Sequence, residues 1–300
     1  MRELSLEPGA RPAARVAPPV PAHERAFCLA IARQAVRSLY AELTLYPKPG
    51  LVSLVDNGSH DDMTAETFMR SLFALRHYFV HITRAGMEEA PFSTLKRLGI
   101  EAEERMLRAT GGINTHRGAV FCLGLLCAAI GSCRVGGIPL TPGAIRAALL
   151  LRWADALAAH THPRAADSHG LRVARRYAAS GAREEAALGL PSVFEVALPA
   201  LRRTLAAGRG TRRARVDALF ALMGHISDTN LYHRGGEEGA STVRRHARAF
   251  IASGGTASDD WEARALACHR RFVAARLSPG GAADLLAAAC LLHAVCGPGN

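Results

Sequence analysis

The residues best suited to chemistry fall in four short stretches, each set beside apolar, helix-forming sequence. The first is LYPKPGLVSLVDNGSHDDM, Leu45–Met63, with Lys48 between two prolines and Asp56, Asn57, His60, Asp61 and Asp62 within seven residues. Carboxylates and a histidine can hold a divalent cation, and magnesium takes few carboxylates and completes its shell with phosphate oxygens and water. A lysine beside them can meet a phosphate. The same residues also make an ordinary solvated loop, and spacing alone leaves both readings open.

The second stretch is EAEERMLRATGGINTHRGAVF, residues 101–121. Gly111 and Gly112 let the backbone turn, and Thr115 reads as the N-cap of the following helix. Free N–H groups at that helix start, with Arg117 in the first turn, suit an anion. Asn114 adds a neutral donor and His116 a proton carrier. Glu101 and Glu104 share a helix face, and Glu103 points elsewhere. The third stretch, GHISDTNLYHRGGEEG at 224–239, spaces Asp228 and Asn230 to offer two oxygens to one cation, ahead of Arg234. In the fourth, SPGGAADLLAAACLL at 278–292, Gly280 and Gly281 allow close approach of backbone to a ligand. Asp284 follows in a first helical turn, where dipole compensation alone explains it. Turns and polar inter-helix loops remain the plain alternatives for each. Four such stretches in one chain favour a shared cleft at the ends of packed helices.

The rest of the sequence must position them. Of 300 residues, 49% are hydrophobic and only 6% aromatic. The abundance of Ala and Leu predicts an all-α fold, and no strand alternation or fixed-period repeat emerges. Apolar spacing predicts helices from about Glu24 to Leu43, Thr64 (as N-cap) to Gly86, Thr94 to Ala109, His116 to Ile130 and onward from Pro142. Further helices are expected at 170–180, 191–207, 214–227, 239–253, 259–277 and 282–296. No long linker divides them, so residues 23–300 read as one compact multi-helix domain behind a disordered Pro/Ala/Arg-rich tail, 1–22.

The net charge of +11 suits anionic partners. The arginines are dispersed, however, and no basic run is interleaved with aromatics, which argues against a nucleic-acid reader. RGTRRAR, Arg209–Arg215, is the densest patch and reads as a solvated loop. The apolar run AVFCLGLLCAAIG from Ala119 is too short to span a bilayer and reads as a buried helix, so no membrane association is expected. Seven cysteines without a C-x-x-C pair suggest reduced thiols in a cytoplasmic protein.

Taken in order, PKPGLV, NGSHDDM, EAEERMLRATGGINTHRGAVF, DSHGLRVARRY with GAREEAALGLPSV, DTNLYHRGG and SPGGAADLLA resemble the triphosphoribosyl-dephospho-CoA synthases. The resemblance runs from about residue 27 to 296. LVSLVDNGSHDDM is more similar to the branch serving malonate decarboxylase than to the citrate lyase branch. The resemblance implies an all-α enzyme that converts ATP and 3′-dephospho-CoA into 2′-(5″-triphosphoribosyl)-3′-dephospho-CoA and adenine. The product is a prosthetic-group precursor destined for an acyl carrier protein. Where the family has a lysine after NTH this chain has Arg117, a fork in place of a point charge.

Matched to that reaction, Mg²⁺ is expected on some of Asp56, Asp61, Asp62 and Asp228, with Asn230 assisting. Lys48, Arg117, Arg234 and the backbones around Gly111, Gly112, Asn114, Thr115, Gly280 and Gly281 are expected to bind substrate. Glu103, His116 and Asp61 are the expected catalytic groups. The alternatives are a metal-dependent phosphohydrolase, which releases phosphate rather than adenine, and a coenzyme-binding module that releases neither.

Overall fold

Helix-forming stretches broken by proline and glycine dictate a chain of α-helices, and the computed structural model, which describes residues 21–161 and 182–297, contains eleven. They are α1 (Ala22–Leu43), α2 (Ala65–Met87), α3 (Phe92–Thr110), α4 (Arg117–Val135), α5 (Pro142–Thr161) and α6 (Ala182–Ala187). A π-helical turn, Ser192–Ala197, then runs into α7 (Leu198–Ala206), followed by α8 (Gly210–His225), α9 (Thr229–Ala252), α10 (Trp261–Ala274) and α11 (Gly280–Val295). No strand occurs among the described residues. The fold is a single all-α domain.

The central element is α4, and its composition explains its place. Fourteen of its residues, including Val120, Leu123, Leu126 and Ile130, are buried. The helix extends to 19 residues, beyond the predicted end at Ile130. It is long and apolar enough to cross a membrane by length and composition, but 78% of its apolar window is buried inside the fold. Helix α2 crosses it closely: a Cβ at Gly86 would lie 2.0 Å from the Ala128 carbonyl, and one at Gly131 would lie 2.2 Å from the Thr83 carbonyl. Only hydrogen fits at those two crossing points. Tyr78 Oη donates to the Val120 carbonyl at 2.9 Å, so its buried hydroxyl is satisfied. Helices α1, α3, α5 and α11 also pack around α4.

Most predicted helices are found with ends shifted by a few residues. Thr64 is the N-cap of α2, its hydroxyl accepting from Thr67 N–H. One boundary moves further: α9 begins at Thr229, ten residues before the predicted helix, and absorbs the DTNLYHRGG stretch read as a loop. The Gly-Gly pair had suggested a break, and it produces a kink at Gly236 (φ 61°) without ending the element. Short α6 was not predicted, and the predicted helix at 170–180 lies outside the described residues, as does nearly all of the 1–22 tail. All seven cysteines are free thiols, five of them buried.

Candidate active site

Several helix ends converge on one cleft of about 1180 Å³. Its floor comes from the C-terminal end of α1 (Glu42), the α1–α2 loop (Lys48, His60), and the N-terminal ends of α4, α9 and α11. Three helix starts facing one space bring positive dipole ends together, which favours negative charge there.

Lys48 and Glu42 are both buried, and Lys48 Nζ donates to Glu42 Oε1 at 2.6 Å and to the Glu42 carbonyl at 3.0 Å. Burial pulls the ammonium pKa down, against the stabilising field of Glu42. The ammonium expected to meet a phosphate is thus committed to a carboxylate at the cleft floor. The prolines around it end α1 and fold the loop back so that Lys48 returns beneath Glu42.

Asp228 caps α9. Its Oδ1 accepts from Asn230 N–H at 2.9 Å, and its Oδ2 accepts from Gly281 N–H at 2.8 Å and Ala282 N–H at 3.3 Å. One carboxylate therefore ties the starts of α9 and α11 together. Burial raises its pKa to about 6 despite these donors. A Cβ at Gly281 would come within 3.0 Å of this carboxylate, and one at Gly280 within 2.9 Å of Asn230 Nδ2. The two glycines thus make room for protein side chains, and both line the cleft.

Asp284, half-buried just beyond the first turn of α11, faces the start of α4. A Cβ at Gly118 would lie 2.1 Å from Asp284 Oδ2. The Ala119 N–H offers this carboxyl a hydrogen bond, while desolvation first, then Glu42 and Asp228, raise its pKa well above the ordinary range. Glu42, Asp228 and Asp284 are therefore within electrostatic reach of one another. Sequence reasoning gave Asp284 no site role, and Glu42 is buried text inside α1. The signal for Asp284 is Gly118, whose missing Cβ leaves room for its carboxylate, as Gly281 does for Asp228.

At the start of α4, His116 rather than Thr115 is the N-cap residue, and Asn114 Oδ1 accepts from Arg117 N–H at 3.2 Å. His116 Nδ1 hydrogen-bonds Ser71 Oγ at 2.7 Å, and Phe68 stands edge-on to the ring. Burial, reinforced by the Lys48 charge, lowers its pKa to about 3, so the imidazole is neutral at physiological pH. His116 Nε2 and Thr115 Oγ1 are buried without a hydrogen-bond partner, and both residues line the cleft. Two adjacent unsatisfied polar atoms are costly unless a ligand completes them. Glu103 also lines the cleft, 2.9 Å from Arg117 Nε, and burial raises its pKa against the pull of Arg117. Glu101 and Glu104 pair with arginines of their own helix and are not among the cleft residues.

Of the other sequence-predicted residues, Arg234 lines the cleft and the rest stand elsewhere. Asp61 is 86% exposed and faces Arg276 at 3.3 Å, while Asp62 is exposed beside His60 at 3.7 Å. Asp56 pairs with His269 Nε2 at 3.2 Å and accepts from Gly58 N–H at 2.8 Å. None of these three carboxylates lines the cleft, and no group of three His, Cys, Asp or Glu among the described residues forms a metal cage. Gly111 and Gly112 close α3: Gly111 is left-handed (φ 68°) and Gly112 N–H donates to the Leu107 carbonyl at 2.7 Å. Both glycines are outside the cleft lining. Arg234 binds the Ser59 carbonyl at 3.0 Å and His60 Nδ1 at 3.0 Å, and His60 Nε2 reaches Ser278 Oγ at 2.8 Å. Arg234 is thereby a clamp that fixes the first loop against α9 and α11.

Comparison with known proteins gives this geometry its context. Residues 28–299 match the CitG family, described as ATP:dephospho-CoA triphosphoribosyl transferase. A protein of Stutzerimonas stutzeri is 42% identical over 87% of this chain and 90% of its own length. One of Acinetobacter calcoaceticus is 39% identical over 88% and 92%, and one of Vibrio cholerae 37% identical over 86% of each. Each carries the name "Probable 2-(5''-triphosphoribosyl)-3'-dephosphocoenzyme-A synthase". No solved structure matches the chain. The chain belongs to the CitG family of ATP:dephospho-CoA triphosphoribosyl transferases and is an enzyme of the triphosphoribosyl-dephospho-CoA synthase type.

Proposed function

We propose that the cleft transfers the 5-triphosphoribosyl group of ATP to the 2′-hydroxyl of 3′-dephospho-CoA. The N-glycosidic bond of ATP breaks, adenine leaves with the bonding pair and takes up a proton, C1′ bonds to the 2′ oxygen, and the triphosphate is kept. The observation that carries this reading is the meeting of three helix N-termini, two orphaned polar atoms and several desolvated carboxylates in one space. At about 1180 Å³ that space exceeds the usual range of a single small-ligand site, as two coenzyme-sized substrates require.

The helix starts and Arg117 receive the triphosphate. Glu103, raised by burial and oriented by Arg117, takes the proton of the 2′-hydroxyl. His116 is too weakly basic for that task and serves as a neutral hydrogen-bonding partner beside Thr115. Glu42 and Asp284 place carboxyl groups near the space where C1′ gains oxocarbenium character, and positive charge arriving there favours ionisation of Asp284. Magnesium held by one or two carboxylates fits this donor set, since Asp228 and Asp284 share the floor and phosphate oxygens and water complete such a shell. When bound with ATP, the ion would be held by Asp228 and Asp284, with Asn230 assisting, and would neutralise the triphosphate.

The wording of the first loop supports service to malonate decarboxylase rather than citrate lyase, with the product passed on towards an acyl carrier protein. The free thiols suit a cytoplasmic setting. The test is adenine release from labelled ATP. Release that depends on dephospho-CoA, without free phosphate, supports ribosyl transfer; phosphate release points to a phosphohydrolase, and stoichiometric binding without turnover to a binding module.

A further inference from the structure

The cleft continues beyond the reaction centre along α3. We propose that this extension seats the diphosphate–pantetheine arm of the acceptor, with Lys96 and Arg183 on the diphosphate and the apolar face of α3 along the arm. The inference rests on the reading of dephospho-CoA as acceptor.

On α3, Phe92, Leu95, Lys96, Gly99, Ile100 and Glu103 all line the cleft. Their alternating spacing of three and one places them on one helix face. At 1.5 Å per residue the stripe runs roughly 16 Å from Glu103 to Phe92. It therefore starts at the carboxylate assigned to the 2′-hydroxyl and leads outward. Phe121 and Leu188 also line the cleft, and Phe92 meets His160 edge-on with ring centroids 5.4 Å apart. Ile100 is 49% and Leu188 64% exposed, which leaves large apolar surface facing an open trough.

Beyond Glu103 the lining carries Lys96 and Arg183 together with Glu184 and Glu185, of which Glu185 is engaged by Ser192 N–H at 2.6 Å and Ser192 Oγ at 3.0 Å. Lys96 has no carboxylate partner among the described residues. Arg183 Nη1 is buried with no hydrogen-bond partner. An N–H so placed is costly until an acceptor arrives. Both cations act on His160, and Arg183 also acts on Glu103, which locates Arg183 between the outer trough and the reaction end. An ammonium and a guanidinium, followed by apolar walls, match a diphosphate joined to a long uncharged chain. ATP has no such chain.

Gly99 points the same way. It is mid-helix without a positive φ, and a Cβ there would meet only Tyr78 Oη at 3.9 Å. Nothing in the packing demands glycine, and its effect is to keep the trough open.

Equilibrium dialysis of dephospho-CoA and KM values for both substrates test the proposal in wild type, Lys96→Ala, Arg183→Ala, Gly99→Leu and Gly99→Ala, with thermal midpoints confirming folding. Each charge deletion should weaken dephospho-CoA binding about tenfold, and Gly99→Leu more, with KM for ATP within about twofold. Gly99→Ala should bind like wild type. Unchanged dephospho-CoA affinity in the first three variants, or an equal rise in KM for ATP, would overturn the proposal. Wild-type enzyme that binds no dephospho-CoA and releases no adenine would instead overturn the functional reading beneath it.

Discussion

Among single side chains, the Lys48–Glu42 pair most shapes the cleft floor. Two fully desolvated charges are tolerable only because each neutralises the other, so removing one strands its partner. Lys48→Met should cost about 3–5 kcal/mol of stability in chemical denaturation, and adding Glu42→Gln should restore part of it. Additive losses in that cycle would show that the pair is not coupled. His116 makes a second residue-level prediction. Its folded pKa of about 3 lies below the ordinary 6.5. As pH falls through 6.5 the unfolded imidazole binds a proton first, so this contribution is complete at higher pH and declines toward pH 3. Relative to His116→Asn, the wild type should lose about 2 kcal/mol between pH 7 and pH 5, read from unfolding curves at the two pH values. Equal pH dependence of the two proteins would contradict the buried neutral imidazole.

At the scale of elements, function depends on how helix ends are tied together. Asp228 joins α9 to α11 through donors from both helices. Asp228→Asn loses charge and at least one of those links, and adenine release should fall by at least about a hundredfold. Asp61→Asn, which changes an exposed carboxylate facing Arg276, should stay within about threefold of wild type. Equal effects in the two variants would refute the division between floor and loop carboxylates. This contrast also marks what could be read in advance. The helices were legible because apolar spacing and cap residues such as Thr64 are local signals. The start of α9 was missed although Asp228 caps it locally through Asn230 N–H, and what no local signal shows is the tie of the same carboxylate to Gly281, 53 positions away. Glu103 was separable from Glu101 and Glu104 by helix geometry alone. Asp61 and Asp62 were not separable from Asp228, since all three are aspartates beside polar neighbours and only the fold withdraws Asp228 from water. Glu42 and Asp284 were hidden for a similar reason: their significance comes from Lys48 folding back and from Gly118 lying opposite.

Across the whole molecule, buried α4 holds the assembly while the surrounding helices aim their ends into one cleft. The dispersed positive charge noted in the sequence acquires a local purpose there, since Arg117, Lys96 and Arg183 line a space also furnished with carboxylates. Phosphate-bearing substrates need the first set, and a developing oxocarbenium ion needs the second. Membership of the family and the geometry of the cleft thus converge on ribosyl transfer with the triphosphate intact. The most direct test is mass analysis of the products after incubation with Mg-ATP and 3′-dephospho-CoA. Free adenine together with dephospho-CoA carrying an added triphosphoribosyl group is the predicted result. Phosphate or pyrophosphate with unmodified dephospho-CoA would contradict it.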